Sequence, residues 1–357
     1  MNRPQASGYF RTRYERDSAL LDTRTQKTSL AVLAVALALF PFFAGPFALD
    51  LASQALLASI GALALMLLTG IAGQISLGHA GLLAAGAFTT GILFKELAAP
   101  IWVTIPASGL VGALLGIVFG LPSLRLRGLY LAISTLALHF VVIQVGAEYE
   151  TRRGFSTGIL IDPPALGPWV LLNARAWYFV LLCASALTVL FCLNLLRSRT
   201  GRAWRAVRGR EAVAEALGVN VPRAKLSAFV VSSSLTAVAG SLFAYWRGFV
   251  SVEAFSLFLT IQYVAMIIIG GMGSVLGALL GSVFVVLLPY AIESGMRILG
   301  VADALASIVF AVNYAVFGLV MIVFLLFEPQ GLVGIWRRIQ AWFLLWPYKQ
   351  KPLRGNR

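Results

Sequence analysis

Charge is scarce in this chain of 357 residues. Asp, Glu, Lys and Arg together make up 12% of it, against 59% hydrophobic residues, and a soluble globular domain carries roughly twice that charged share. Mean hydropathy is +0.87. So few polar groups cannot cover so much apolar mass, which excludes a water-soluble fold, and a chain this apolar is not intrinsically disordered either. Histidine occurs twice, as His79 and His139, and cysteine twice, as Cys183 and Cys192. The cysteines stand nine residues apart in one apolar run. On a helix that is two and a half turns, about 13 Å along the axis and on opposite sides, so they cannot pair. No Cys/His cluster has zinc-ligand spacing, and neither a His-Glu-x-x-His run nor a Gly-x-Ser-x-Gly elbow occurs, so hydrolytic chemistry finds no support. None of the five lysines follows a glycine, so the phosphate-cradling Gly-Lys-Ser/Thr loop is missing and the chain has no ATPase site of its own. Acidic residues are the scarcer sign, 14 against 28 basic, for a net charge of +14. Such a balance suits nucleic acid. It also suits a multi-span membrane protein whose cytoplasmic loops collect Lys and Arg, and only that reading accounts for the hydropathy, so no nucleic-acid partner is expected.

What is abundant is uninterrupted apolar sequence. No charged residue falls within 28–49, 51–94, 97–124, 128–147, 176–196, 226–246, 254–292 or 304–327. A spanning helix needs roughly 20 apolar residues. Six windows fit one span each, while 51–94 and 254–292 have room for two, and both carry glycine-rich centres at 70–73 and 270–273. Splitting both puts the arginine-rich loop 197–225, the arm 1–27 and the tail 328–357 on one side, together with Arg125 and Arg127. That side then holds 22 of the 28 basic residues, as the positive-inside bias requires. The expectation is an all-α polytopic membrane protein of about ten membrane segments, some short or broken, with both termini cytoplasmic. Its parts are a basic arm 1–27, six segments in 28–196 with an external loop 148–175, a cytoplasmic loop 197–225, four segments in 226–327, and a basic tail 328–357. The arm precedes an apolar run of about 20 residues, longer than the core of a cleavable signal peptide. The tight 254–292 window fits either broken helices lining a polar pathway or close helix contact through small residues.

Within the first long window the run Gly73-Gln74-Ile75-Ser76-Leu77-Gly78-His79-Ala80-Gly81 places Gln, Ser and His in an apolar setting, where such residues face a cavity or another helix. It resembles the Gly-Gln-x-Ser-Leu-Gly-His signature of permeases in branched-chain amino acid ABC importers, and Gly86-Ala87-Phe88 continues it. Three further stretches are similar to the same family: 125–137 (Arg-Leu-Arg-Gly-Leu-Tyr-Leu-Ala-Ile-Ser-Thr-Leu-Ala), the run from Gly201 through Glu215-Ala216-Leu217-Gly218 to Leu226, and 328–334 (Glu-Pro-Gln-Gly-Leu-Val-Gly). The likeness is to the longer of two paired permeases. The chain departs from the pattern where Leu138-His139-Phe140 replaces a frequent carboxylate, and at 151–158, where the external loop often carries a Thr-Gly-Gly-like run.

The resemblance implies a transport subunit, not an enzyme, in a bacterial inner membrane. It implies two ATPase partners that hold the ATP and Mg, a second related permease forming a heterodimer, a soluble solute-binding protein, and the lipid bilayer. It also implies branched-chain or related hydrophobic amino acids as cargo, although relatives carry urea, short amides or aromatic acids. Residues 201–217 contain no proline and read as one helix, with Trp204, Val207 and Ala214 within an arc of about 80° and Arg202, Arg205 and Arg208 outside it. Gly218 ends it. By resemblance this helix docks an ATPase, with Arg208, Glu211, Glu215 and Gly218 as coupling residues. As a bare basic amphipathic helix it could instead lie on anionic lipid. Gln74, Ser76, Gly78 and His79 are the candidate substrate-pathway residues, with a packing role as the alternative. An ion-gradient carrier would require carboxylates in the spans, and the charge-free windows contain none.

Overall fold

A computed structural model describes residues 24–124, 126, 128–155, 158–166, 169–170, 173–298, 309–328 and 330–345. Most of the arm 1–27, Arg125, Arg127, Ser156, Thr157 and the tail beyond Leu345 lie outside the described residues. The chain is overwhelmingly helical. Arg24–Phe43 (α1) leads to Pro46–Leu65 (α2), which runs on into a π-helical turn, Met66–Ile71; His79–Leu97 (α3), Ile101–Ser123 (α4) and Leu129–Arg153 (α5) follow. Short strands Ile159–Leu160 (β1), Ala165–Leu166 (β2) and Trp169–Val170 (β3) precede Ala174–Arg197 (α6), Arg199–Gly209 (α7), Glu211–Ala216 (α8) and Val221–Arg247 (α9). Phe249–Val250 (β4), Leu257–Gly270 (α10), Val275–Ile298 (α11), Val309–Phe327 (α12) and Gly331–Leu345 (α13) complete the described fold. The strands form only two small antiparallel pairs, β1 with β4 and β2 with β3.

Among the described residues seven helices are long and apolar enough to cross a membrane, and a pair bent by 49° within α12–α13, counted as one span, makes eight. The apolar helices Thr28–Phe43 and Leu257–Gly270 fall short of spanning length. Both long windows divide where their glycines stand, after Ile71 and after Gly270.

Helix packing is written in small residues. Gly109, Gly112, Gly116 and Gly120 of α4 meet Val238, Ala237, Ser233 and Leu226 of α9 in descending order, so the two helices run antiparallel with their backbones close. Gly86 of α3 seats against the Ala237 backbone, and Gly240 of α9 against Leu83. In lipid no water satisfies a stray hydroxyl, so polar side chains bond helix to helix. Ser59 of α2 shares a 2.7 Å bond with Ser185 of α6, Thr90 of α3 reaches Ser241 at 2.6 Å, and Ser232 of α9 donates to the Ala64 carbonyl at 2.7 Å. Between α10 and α11, Gly270, Gly277 and Gly281 lie backbone to backbone. There the close-contact reading of 254–292 accounts for the glycines. Cys183 and Cys192 are free thiols.

The arginine-rich loop differs from its expectation. Residues 201–217 are not one helix but two, because Arg210 is extended (φ −153°, ψ 114°) between α7 and α8. Gly209 is the last residue of α7, where a glycine weakens the helix, and Ala214 beyond the bend is buried like Trp204 and Val207. Trp204 Nε1 donates to Ser227 of α9 at 3.0 Å. The apolar face of this loop is therefore used up within the chain. Gly218 does stop α8, with φ +83° and its N–H on the Glu215 carbonyl at 2.9 Å.

Candidate functional site

The site begins with a helix that stops early and restarts late. Past the π-turn, Ala72 N donates to Leu67 O at 3.0 Å and Gln74 N to Leu68 O at 3.1 Å, after which the chain is irregular as far as Gly78. Gly73 makes the exit. Its φ of +73° strains any side chain, and a Cβ there would stand 2.9 Å from Cγ of Arg208. Helix α3 then starts at His79 in the middle of the bundle, beside the middle residues of its neighbours: Thr236 of α9, Tyr263 of α10 and Gly61 of α2.

A helix N-terminus exposes unpaired N–H groups, and in a membrane interior each needs a partner. Neighbouring helices supply them. Leu77 N donates to Thr135 Oγ1 of α5 at 2.9 Å, and Ala80 N to Thr260 Oγ1 of α10 at 3.0 Å. Gly78 N reaches Ser76 Oγ at 3.4 Å, and a Cβ on Gly78 would strike the Thr135 carbonyl. Gln74, Ser76 and His79 are all buried. His79 Nδ1 lies 3.5 Å from Thr236 Oγ1 and its ring meets the Tyr263 ring edge-on at 4.7 Å, with the Gly61 backbone beside it, while Nε2 is buried without a hydrogen-bond partner. These four residues thus have visible packing tasks.

The structure joins them to the arginine-rich loop through contacts that were not expected. Gln74 Nε2 donates to the Lys225 carbonyl at 3.0 Å, and Lys225 Nζ pairs with Glu211 Oε1 at 2.7 Å with only 8% of its side chain exposed. Arg208 Nη1 donates to the Gly70 carbonyl, which the π-turn leaves open. A Cβ on Gly70 would lie 2.7 Å from the Gly273 nitrogen, so the breaks of both long windows meet under Arg208. Nearby, Gly271 abuts the Gln330 carbonyl, and Glu328 pairs with Arg338 at 3.0 Å. Glu215 and Gly218 stay at the surface. Among them α8 exposes Val213 at 51%, and Leu217 just past its end is exposed at 77%. Lys225 escaped the sequence reading because it counts there only as one more basic loop residue.

A cavity of about 190 Å³ lies toward the opposite end, between α2, α9, α10 and α11. Apolar side chains wall it, among them Leu57, Phe243, Leu259 and Val285, with Gln54, Gln262 and Tyr263 as polar points. Gln54 Oε1 is buried and has no hydrogen-bond partner, as is Gln74 Oε1. Gln74, Ser76, Gly78 and His79 do not border this cavity; Tyr263 stands between it and His79. Gln54 sits in the same charge-free window as Gln74 and Gln262 in the other long one, so the cost of burying an amide in lipid could have found them.

The family described as the permease component of the branched-chain amino acid transport system matches residues 47–325. The high-affinity branched-chain amino acid transport system permease protein LivM of Salmonella typhimurium is 32% identical over 339 residues, covering 88% of this chain and 76% of that protein. The Escherichia coli protein of the same name is 31% identical over the same shares. The autoinducer 2 import system permease protein LsrC of an Enterobacter species is 31% identical over 49% of this chain and 51% of its own. No solved structure matches.

Proposed function

This chain belongs to the branched-chain amino acid transport permease family, and from that membership we propose that it is the membrane subunit of an ATP-driven, binding-protein-dependent importer of branched-chain or related hydrophobic amino acids. It is a multi-pass membrane protein. In the proposed arrangement ten segments cross or enter a bacterial inner membrane, made up of the seven long helices, the bent pair and the two shorter apolar helices. Both termini and the loop 197–225 face the cytoplasm. Two partner subunits bind ATP with its magnesium, a second related permease completes the pathway, and a soluble binding protein delivers the solute to the far face.

The observation that carries the reading is the wiring of the loop. An amphipathic helix meant for lipid would keep its apolar face free, whereas here Trp204, Val207 and Ala214 are buried in the chain's own bundle. What α8 and its C-terminal end offer outward is a small knob of Val213, Glu215 and Leu217, suited to a groove on a protein. Behind the knob, Arg208 holds Gly70 and Glu211 holds Lys225, which in turn receives Gln74. A push on α8 is thereby delivered to the segment 70–79, where a helix end stands open in the bundle and where Gln74, Ser76, Gly78 and His79 would border the inward route. A polar solute left in hydrocarbon is prohibitively unstable, so the route must open to one side at a time.

The test is uptake of L-leucine into proteoliposomes that hold this chain with its second permease and ATPase subunits. Uptake that needs internal ATP and a loaded binding protein is expected. Uptake by this chain alone, driven by an ion gradient, would overturn the assignment and make it a secondary carrier.

A further inference from the structure

At the end of the bundle away from the arginine-rich loop, a second cavity of about 300 Å³ is walled by Ile161, Pro163, Trp177 and Tyr245 and carries two formal charges, Asp50 and Arg247. They do not pair with each other. Asp50 makes no ion pair among the described residues, and Arg247 is stacked on Trp246, its guanidinium carbon 4.3 Å from the ring centroid. Two opposite charges that share a concavity without meeting leave space for a molecule bearing both.

Trp246 and Arg247 also line the inner cavity of about 190 Å³, so the stacked pair forms the partition between the two. On the other wall, Asp50 and Gln54 are four residues apart in α2, hence on one face and about 6 Å apart along the axis. Asp50 lines the outer cavity and Gln54 the inner, with Gln54 Oε1 buried and unpartnered. The acceptors therefore form a two-rung ladder, while the single guanidinium serves both chambers.

Resting on the importer reading above, we infer that Asp50, Arg247 and Gln54 form a zwitterion-binding track for α-amino acids between the outer mouth and the interior of this chain. The carboxylate takes the planar fork of Arg247, a stronger partner than the Trp246 face. The ammonium steps from the Asp50 carboxylate to Gln54 Oε1 and Gln262. The apolar side chain enters among Leu57, Phe243, Leu259 and Val285. The charge falls from a full carboxylate to a neutral amide along the way, so the solute is attracted at the mouth and held loosely inside.

The experiment uses the complete importer in proteoliposomes with internal ATP and saturating binding protein loaded with radiolabelled L-leucine. Docking of the binding protein is followed separately by pull-down. Removing a charged hydrogen-bond partner lowers such a step by about tenfold to a hundredfold. Arg247→Gln is expected to cut uptake at least about tenfold and Asp50→Asn severalfold, with docking retained; Arg247→Lys, keeping charge without the fork, falls between. Wild-type uptake in Arg247→Gln and Asp50→Asn, or a loss of uptake matched by a loss of docking, overturns the track. If Arg247→Gln does not assemble, Arg247→Lys and Asp50→Asn decide. A wild-type complex that imports nothing overturns the importer reading instead, so the two failures are distinct.

Discussion

Replacing Thr135 by valine tests how the open helix end at residue 79 is held. The exchange keeps shape and removes one hydroxyl. In the native chain Thr135 Oγ1 donates to the Ala132 carbonyl at 2.9 Å and accepts from Leu77 N at 2.9 Å. The carbonyl lies within α5 and keeps its place in the helix ladder. Leu77 N has no such reserve, since it lies in irregular chain ahead of the helix that starts at His79, and Thr135 is fully buried. An orphaned buried donor costs about 1–3 kcal/mol, which multiplies the opening equilibrium of the segment by roughly 5 to 150. Hydrogen exchange at the Leu77 amide, followed in nanodiscs by mass spectrometry, should accelerate by that factor. Thr188→Val is the control, because the Thr188 hydroxyl only returns to its own helix at Ala184, and its effect should stay below about 0.5 kcal/mol. Native exchange at Leu77 in Thr135→Val, or an equal change in the control, would refute the claim that neighbouring helices hold this terminus.

Arg208→Gln removes the tie to the Gly70 carbonyl and is expected to raise ATP consumed per solute imported without preventing insertion, measured as the ratio of hydrolysis to uptake. Lys225→Met removes the 2.7 Å ion pair with Glu211; for a pair between exposed and buried this costs about 1–3 kcal/mol. A double-mutant cycle with Glu211→Gln in thermal denaturation should recover part of it. Gly86→Val drives a side chain into the Ala237 backbone, an overpacking of about 3 kcal/mol or more, and should abolish accumulation of folded protein in membrane fractions. Gly218→Pro cannot adopt the native φ of +83° and should unlink hydrolysis from uptake while the protein still inserts.

Where the chain turns was legible at 70–73 and 270–273, because glycines inside long charge-free runs mark places where lipid-facing helix cannot continue. The burial of Trp204 and Val207, which share α7, was legible from periodicity, whereas Ala214 is buried on a separate helix beyond the break. The break at Arg210 was not legible, since an isolated Gly209 costs a helix only about 1 kcal/mol and periodicity carries a helix straight through it. Gln74 and His79 stood out because polar groups in an apolar run are expensive. Their partners did not, since Lys225, Thr236 and Thr260 lie 151, 157 and 180 residues away from Gln74, His79 and Ala80.

Hydrophobicity and charge act on each stretch of chain against its solvent, so the sequence by itself determined that this is a polytopic helical membrane protein, which stretches are apolar helices, and to which family it belongs. Which groups meet was decided only by the tertiary structure. The Arg208–Gly70 tie, the Glu211–Lys225–Gln74 chain and the paired chambers around Trp246 and Arg247 each join separate helices. Hydrogen bonds and ion pairs act over a few ångströms, and only the packed bundle sets those distances.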